Sequence, residues 1–512
     1  MTEEAPLQNC TIHLHPDDPI VIARCELLPG MKLAVPGGTI KVSEAVPAGH
    51  KLALRDILPG EEVRRYGYFI GKATAFIQAG SWVHSHNLEL GDGAVERAIR
   101  VVEPGKPATS GKTFMGYARP AGRAGVRNLI AVISTVTCSA HVASQIARAF
   151  PPERLKTYPN VDGVIAIVHH TGCSMPQGGL SQVYLRRLLT NLGRHPNIAA
   201  AVYVGLGCEV MQVEDCQPVF SVEEVKGFAP RSLVIQEQGG FQKTVAEGIE
   251  LVEQLLPQVN ALQRSPQPLS ELGVALQCGG SDGWSGITAN PLVGRISDLL
   301  VREGGTAVLA ETPEIYGAEH LLTSRVSAVE VAEKLMRRIA WWEGEAKRRG
   351  FSLDNNPTPG NKRGGLTTIF EKSLGAVAKA GSSPLRGVYE YGEWVEGGGL
   401  AFMDTPGNDP ISVSGQVAGG CNLILFTTGR GSVYGSAVAP CIKIATNTRL
   451  AESMPDDMDF NAGQLLEGTG WEDATQALLE RVIVVASGQR TLSETHGRSE
   501  LEFVPWQPDE VL

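Results

Sequence analysis

Residues 128–138 read NLIAVISTVTC and residues 141–150 read HVASQIARAF. The first is an apolar, β-branched run closed by small polar residues and a cysteine. The second spaces its apolar residues for one helix face. A short buried strand followed by an amphipathic helix is the unit of a parallel α/β sheet, whose strands are covered on both faces. The texture repeats outward in GVIAIVHHTGC (163–173), AAVYVGLGC (200–208), SLVIQE (232–237), GVALQCGG (273–280), TAVLAET (306–312) and NLILFTTGR (422–430). Helical stretches lie among these runs, at 244–256, 327–349 and 474–487. The segment 257–272, PQVNALQRSPQPLSEL, breaks the pattern and divides the α/β part in two.

Toward the N-terminus the texture changes. Residues 11–103 are short strand-like runs such as PIVIARC, KLALRDI and WVHSHNLEL, punctuated by PG, GG and PGE turns. That spacing predicts a small all-β, clip-like module. The predicted organisation is an all-β module over 1–103, a linker over 104–113, an α/β middle domain over 114–260 and a Rossmann-like parallel-sheet domain over 261–512.

The composition is that of a folded enzyme or binding protein: 43% hydrophobic and 20% charged residues in 512. The net charge of −10 argues against a general nucleic-acid binder. A single Lys/Arg pocket would still hold an anionic substrate. No apolar run reaches the ~18 residues of a membrane span. The opening MTEEAPLQNC lacks the basic start and apolar run of a signal peptide, so a cytoplasmic protein is expected. Nine scattered cysteines without a CxxC pair speak against a disulfide framework.

Candidate chemistry concentrates at strand ends, where open α/β sheets bind ligands. Four successive runs end on cysteine: Cys138, Cys173, Cys208 and Cys278. Thiolates favour iron or zinc over magnesium. GGSDGWSGITANP (279–291) is a tightly turning polar loop whose Ser281, Asp282, Thr288 and Asn290 suit a polyol or carboxylate. It is neither a P-loop nor a dinucleotide fingerprint. NNPTPGNKRGG (355–365) presents Asn361 and Lys362 from a rigid frame, and Arg430 stands between glycines in FTTGRGSVYG (426–435). HSHN (84–87) puts His84 and His86 on one strand face, suited to a metal or to acid and base roles, and His169–His170 beside Cys173 raise the same question.

Together these segments resemble the altronate dehydratase and galactarate dehydratase family. The resemblance rests on AGHKLALRDI, HSHN, GVRN, YPNVDGV, TGC, GLGCE, CGGSDGWSGITANP, PGNKRGG, KSLG, FTTGRG and IKIAT followed by DFNAG, in order over almost the whole chain. HSHN and TPEIYGAEHLL are similar to the altronate type, YPNVDGV and VIVVASGQRT to the galactarate type. The resemblance implies a β-clip (SAF-type) module, a dimerising middle domain and a Rossmann-like domain with a metal site. It implies dehydration of a hexonic or hexaric acid to a 2-keto-3-deoxy acid. The cofactor it implies is Fe2+ or a similar divalent metal such as Mn2+; an iron–sulfur cluster held by three of the four strand-end cysteines is the lesser option, from thiolate chemistry alone. Cys173, Cys208, Cys278 and His86 are the expected metal ligands. His84, His86, His170 and Lys362 are the expected catalytic groups. Asn87, Arg127, Ser281, Asp282, Thr288, Asn290, Asn361 and Arg430 are expected to bind substrate. Close relatives extend to sulfolactate lyase, which expels sulfite, and a non-catalytic sugar-acid sensor is the other alternative. Expected partners are a small sugar acid and a second copy of the chain, with neither nucleic acid nor membrane.

Overall fold

The computed structural model describes residues 5–35, 38–91, 98–120, 122–216, 229–497 and 502–509. The N-terminal module is built from short antiparallel strands, as its turn-rich sequence dictates. Strands β1 (Thr11–Ile12), β2 (Ile20–Ala23), β3 (Lys51–Ala53) and β4 (Trp82–Val83) form one sheet in that order. β5 (Glu62–Arg65) and β6 (Tyr68–Ala73) pair in a second. This is the expected SAF-type β-clip.

Residues 104–113 run along the C-terminal domain: Ala108 N donates to Arg302 O at 2.8 Å, and Ser110 N to the Glu303 carboxylate at 2.9 and 3.0 Å. Strand β7 (Thr113–Gly116) then pairs antiparallel with β8 (Ser265–Pro268), so the chain leaves for the middle domain and returns at neighbouring positions.

The middle domain is a four-stranded parallel sheet. Its strands are β9 (Leu129–Ser134), β10 (Gly163–Ile167), β11 (Ile198–Gly205) and β12 (Arg231–Val234), in spatial order β10-β9-β11-β12. Helices α1 (Ala140–Arg148) and α3 (Phe241–Asn260) pack their apolar faces on one side, with Ile146, Val252 and Leu255 against Val132 and Val202. Helix α2 (Leu180–Leu192) covers the other side, where the core runs on into the C-terminal domain.

The C-terminal domain is a seven-stranded parallel sheet. In chain order it holds β13 (Gly273–Cys278), β14 (Thr306–Leu309), β15 (Leu385–Tyr389), β16 (Gly399–Met403), β17 (Leu423–Thr428), β18 (Cys441–Ala445) and β19 (Phe460–Asn461). The spatial order is β15-β16-β14-β13-β17-β18-β19. β13, β14, β16 and β17 are buried at every residue, which is why their sequences are unbroken apolar runs. The chain goes from β13 to one side of the sheet and returns to its other side at β17. The order therefore reverses between β13 and β17, and the loops leaving these two strands, GGSDGWSG and GRGSVYG, flank the resulting crevice.

The β-clip core is continuous with this domain: Ile20, Ala53, Ile57, Val63 and Ile70 belong to the same apolar cluster as Val274, Leu276 and Leu292. No described helix is long and apolar enough to cross a membrane.

Candidate active site

The crevice is organised around Asp282. Four residues past β13, its Oδ1 accepts from Trp284 N (3.0 Å), Ser285 N (2.9 Å) and Ser285 Oγ (3.1 Å). Thr446, just past β18, reaches both carboxylate oxygens at 3.1 Å, and Asn447 Nδ2 donates at 3.3 Å. Burial nevertheless pushes this carboxyl up to about 6, against the donors that favour its ionised form. Gly429 lies so close that an added Cβ would strike the Asp282 carboxylate, so the GRG loop must carry glycine there.

The β-clip roofs this turn. The AGHK hairpin end lies on backbone: a Cβ on Gly283 would strike the Gly49 carbonyl. Lys51 Nζ crosses the interface to donate to Gly365 O at 2.8 Å and to the two Glu371 oxygens at 2.8 and 2.9 Å. Arg65 donates to the same carboxylate and, at 2.7 Å, to Gly283 O. All three side chains are buried. Burial alone would push the Glu371 carboxyl up, but Lys51 and Arg65 together hold it at about 2. Lys51 shares that one anion with Arg65, and burial draws it down to about 8.

Beside this clasp sit two imidazoles. His50 Nδ1 accepts from Trp82 Nε1 at 3.2 Å, and its Nε2 lies 3.3 Å from Arg363 O, so the Nε2–H donates. His84 stacks on Trp82, and its ring centre is 5.1 Å from that of His50. Burial and the nearby Lys51 charge lower His50 to about 4 and His84 to about 3, so both are neutral at physiological pH. His84 Nδ1 is buried without a hydrogen-bond partner. The module therefore does close over the α/β cleft, the condition on which any role of HSHN depends.

The remaining expected residues divide. Arg430 is exposed at the mouth, against Gly364 of the opposite loop. Lys362 is half-buried on the short helix Pro359–Arg363, and His86 is exposed beside Trp82. Asn361 is buried and holds the two loops together, donating to Ser281 O at 2.8 Å. Ser281 Oγ lies 2.9 Å from Cys278 Sγ. Thr288 donates to Thr446 O at 2.7 Å. Asn290 donates to Gly375 O at 2.8 Å and accepts from Thr427 at 2.6 Å. Asn87 closes its own turn, donating to Trp82 O and accepting from His84 N, both at 2.9 Å. These amides and hydroxyls hold the loops of the crevice together.

Arg127 is elsewhere. It forms a two-pronged pair with Glu494 at 2.7 and 2.9 Å and donates to Val485 O and Gln489 O, clamping the middle domain to the C-terminal one. His170 and Cys173 leave the end of β10, and Cys208 the end of β11, in the middle sheet. The expected ligand set is thus divided, with Cys278 in the other sheet and His86 on the β-clip. Among the described residues no three His, Cys, Asp or Glu are grouped to hold a metal ion.

Sequence reasoning also passed over a deeper polar cluster at the ends of β14 and β16. Lys372 donates to Glu314 and Asn356 at 2.7 Å each. Burial, then the charge of Glu314, pushes the Asp409 carboxyl up to about 6. Glu311 sits at φ +71°, a left-handed conformation uncommon for a residue with a side chain. That conformation, set by the β14 turn, leaves no mark in the local sequence.

With this geometry in place, comparison with known proteins is direct. The altronate/galactarate dehydratase SAF domain matches residues 9–91. The D-galactarate dehydratase/altronate hydrolase second domain matches 116–260, and the D-galactarate/altronate dehydratase C-terminal domain matches 269–511. The chain belongs to the altronate/galactarate dehydratase family. It is 36% identical over 496 residues to altronate dehydratase of Bacillus subtilis, covering 96% of this chain and 97% of that one. The Escherichia coli altronate dehydratase is 37% identical over 492 residues, covering 96% and 98%. The L-threo-forming galactarate dehydratase of E. coli is 37% identical over 475 residues, covering 90% and 89%. By their names these relatives are hydro-lyases.

Proposed function

We propose that this member of the family dehydrates a hexonic or hexaric acid, altronate-like or galactarate-like, to the 2-keto-3-deoxy acid. The observation that carries the reading is the roofed Asp282 turn at the sheet's reversal point, with neutral imidazoles above it and Arg430 at its mouth.

Loss of water from a 2,3-dihydroxy acid breaks the C2–H bond and the C3–O bond. The proton at C2 is weakly acidic, so a base with a raised pKa is needed. Asp282, pushed up to about 6 yet ionised at neutral pH, fits that role. Arg430 and Lys362 take the substrate carboxylate. His84, held neutral with its buried Nδ1 unpartnered, acts as the hydrogen-bond partner for the developing enolate oxygen, where an uncharged donor in a dry site is effective. His50, bonded to Trp82 and Arg363 O, fixes the wall beside it. His86, open to solvent, returns a proton to the departing hydroxyl, which leaves as water. The enol then tautomerises to the 2-keto acid. Fe2+, or Mn2+ in its place, belongs to this reading only through the family resemblance. The described side chains do not form a ligand set for a single ion, so no step above passes through one. A homodimer joined through the middle domain and a cytoplasmic setting complete the reading.

The test is to offer purified protein a panel of aldonic and aldaric acids without oxygen, with Fe2+ and a thiol, and to follow 2-keto acid formation. Dehydration of at least one is expected. Binding without turnover would favour a sensor, and sulfite release from sulfolactate a C–S lyase. A panel that yields no keto acid overturns the reading.

A further inference from the structure

Nothing in the Asp282 cleft uses Cys138, Cys173 and Cys208. They follow the three adjacent strands β9, β10 and β11, whose order is β10-β9-β11. Ser134 of β9 pairs with Val204 of β11, and Cys138 and Cys208 each come four residues later. Ile133 pairs with Ile167 of β10; Cys138 follows its partner by five residues and Cys173 by six. The three thiols thus leave the sheet within one residue of the same level. The chain goes from β9 to β10 on one side and returns to β11 on the other, so Cys138 and Cys208 also flank this sheet's own reversal point.

The loops that carry them are tied to one another. Thr137 N donates to Thr171 O at 2.9 Å, and Met211 N to Gly172 O at 3.3 Å. Thr135 Oγ1 donates to the buried Glu209 carboxylate at 2.9 Å. That carboxylate also accepts from Leu206 N (3.0 Å) and Gly207 N (2.6 Å), fixing the turn that holds Cys208. Thr137, Gly172 and Glu209 are the immediate neighbours of the three cysteines.

All three thiols are free and exposed, whereas Cys216, Cys278, Cys421 and Cys441 are buried. Packing does not explain exposed cysteines, since an unligated cysteine behaves as a small hydrophobe. Among the described residues the three thiols are not gathered about one point, as a single ion would require. Thiolates on one zinc-like ion all lie ~2.3 Å from it. Neighbouring strands stand ~5 Å apart. β9 lies between β10 and β11, so those two stand ~10 Å apart, and the Met211–Gly172 bond draws their loops together over β9. Three thiols spread in this way suit a ligand presenting several metal atoms at different corners, and thiolates are the ligands iron–sulfur clusters take.

We propose that Cys138, Cys173 and Cys208 bind an iron–sulfur cluster of the [4Fe–4S] type at the carboxyl end of the middle sheet. Each thiol loses its proton on ligation and binds one iron. Three protein thiolates leave the fourth iron without one.

The experiment uses the full chain, reconstituted without oxygen with ferric iron, sulfide and a thiol that reduces half of the iron, then desalted. Iron and acid-labile sulfide are expected near about four each per chain, with sulfide-to-iron charge-transfer absorption and a matching Mössbauer spectrum. Cys138→Ser, Cys173→Ser and Cys208→Ser should each lose most of both, while Cys278→Ser and Cys25→Ser retain them. Circular dichroism checks that each variant is folded. Alkylation mapped by mass spectrometry gives a second reading on unmutated protein: loading should protect the three cysteines and leave Cys25 reactive. Iron without sulfide, a cluster that survives the triple serine variant, one lost in Cys278→Ser, or equal alkylation with and without loading would overturn the assignment. None of these measurements needs a substrate, so their outcome is separate from that of the dehydration assay.

Discussion

Glu371→Gln should detach the β-clip from the cleft it roofs. In the native chain this carboxylate accepts from Lys51 at 2.8 and 2.9 Å, from Arg65, and from Thr367 N and Oγ1 at 2.8 and 2.6 Å. Glutamine keeps the shape and removes the charge, leaving two buried cations without a counter-ion. Breaking a buried pair in this way costs about 3–5 kcal/mol. The shift of Glu371 from 4.5 to about 2 gives a similar figure, about 3 kcal/mol at roughly 1.4 kcal/mol per pH unit. Because the folded value is depressed, this stabilisation is complete above pH 4.5 and is lost as pH falls from there toward 2. Urea unfolding followed at Trp82 and Trp284, with limited proteolysis of residues 104–113, reads both stability and detachment. The variant should unfold several kcal/mol earlier and be cut faster in the linker. Lys51→Met combined with Glu371→Gln buries one lone cation instead of two, so its cost should fall below the sum of the single changes. A Glu371→Gln enzyme within about 1 kcal/mol of wild type, with additive behaviour in the double variant, would refute the clasp.

Asp282→Asn should lower kcat/KM by orders of magnitude, and the limb near pH 6 in the wild-type profile should vanish with the carboxyl; an unchanged profile would take Asp282 out of the proton transfer. Gly429→Ala drives a methyl into that carboxylate, so activity should fall steeply although no charged group is altered, as steady-state kinetics would show. His86→Ala should slow turnover with little change in melting temperature, because the ring is exposed; full turnover would exclude it from the chemistry. Arg127→Ala strips four hydrogen-bond contacts from the join between the α/β domains. It should destabilise by a few kcal/mol in denaturant titration while KM for the folded fraction stays the same.

The parallel sheets were legible because burial on both faces forces unbroken apolar runs such as LIAVIS (129–134) and LILFTT (423–428). The β-clip was legible from its turns. Its docking was not. Lys51, Arg65 and Glu371 each look like solvated charges in AGHK, EEVRR and FEKSLG, and only partners some 300 residues away make them a buried clasp. The same non-locality hides how the polar residues are engaged. Thr288, Asn290 and Asn361 have the right chemistry for a polyol, but their donors are taken by Thr446, Gly375 and Ser281, which the local sequence cannot reveal. The cysteines show the limit most clearly. Cys138 and Cys278 end runs of the same kind, and nothing within either run says which sheet it joins.

The two reversal points also differ in what covers them, and this separates their uses. Proton abstraction from carbon needs a base and donors screened from water, since low dielectric strengthens each of their interactions. Only the C-terminal crevice meets that condition: Gly49, Lys51 and Arg65 seal it from above, and Asp282 is buried beneath. In the middle sheet Cys138, Cys173, Cys208 and His170 stay exposed. An open, thiol-lined rim suits a group loaded from solution, and ligation itself would supply the cover that the protein does not. Loosening the β-clip roof by Glu371→Gln should therefore slow dehydration while leaving the iron and sulfide content of a reconstituted chain unchanged. If both were lost together, the two crevices would have to be treated as one site.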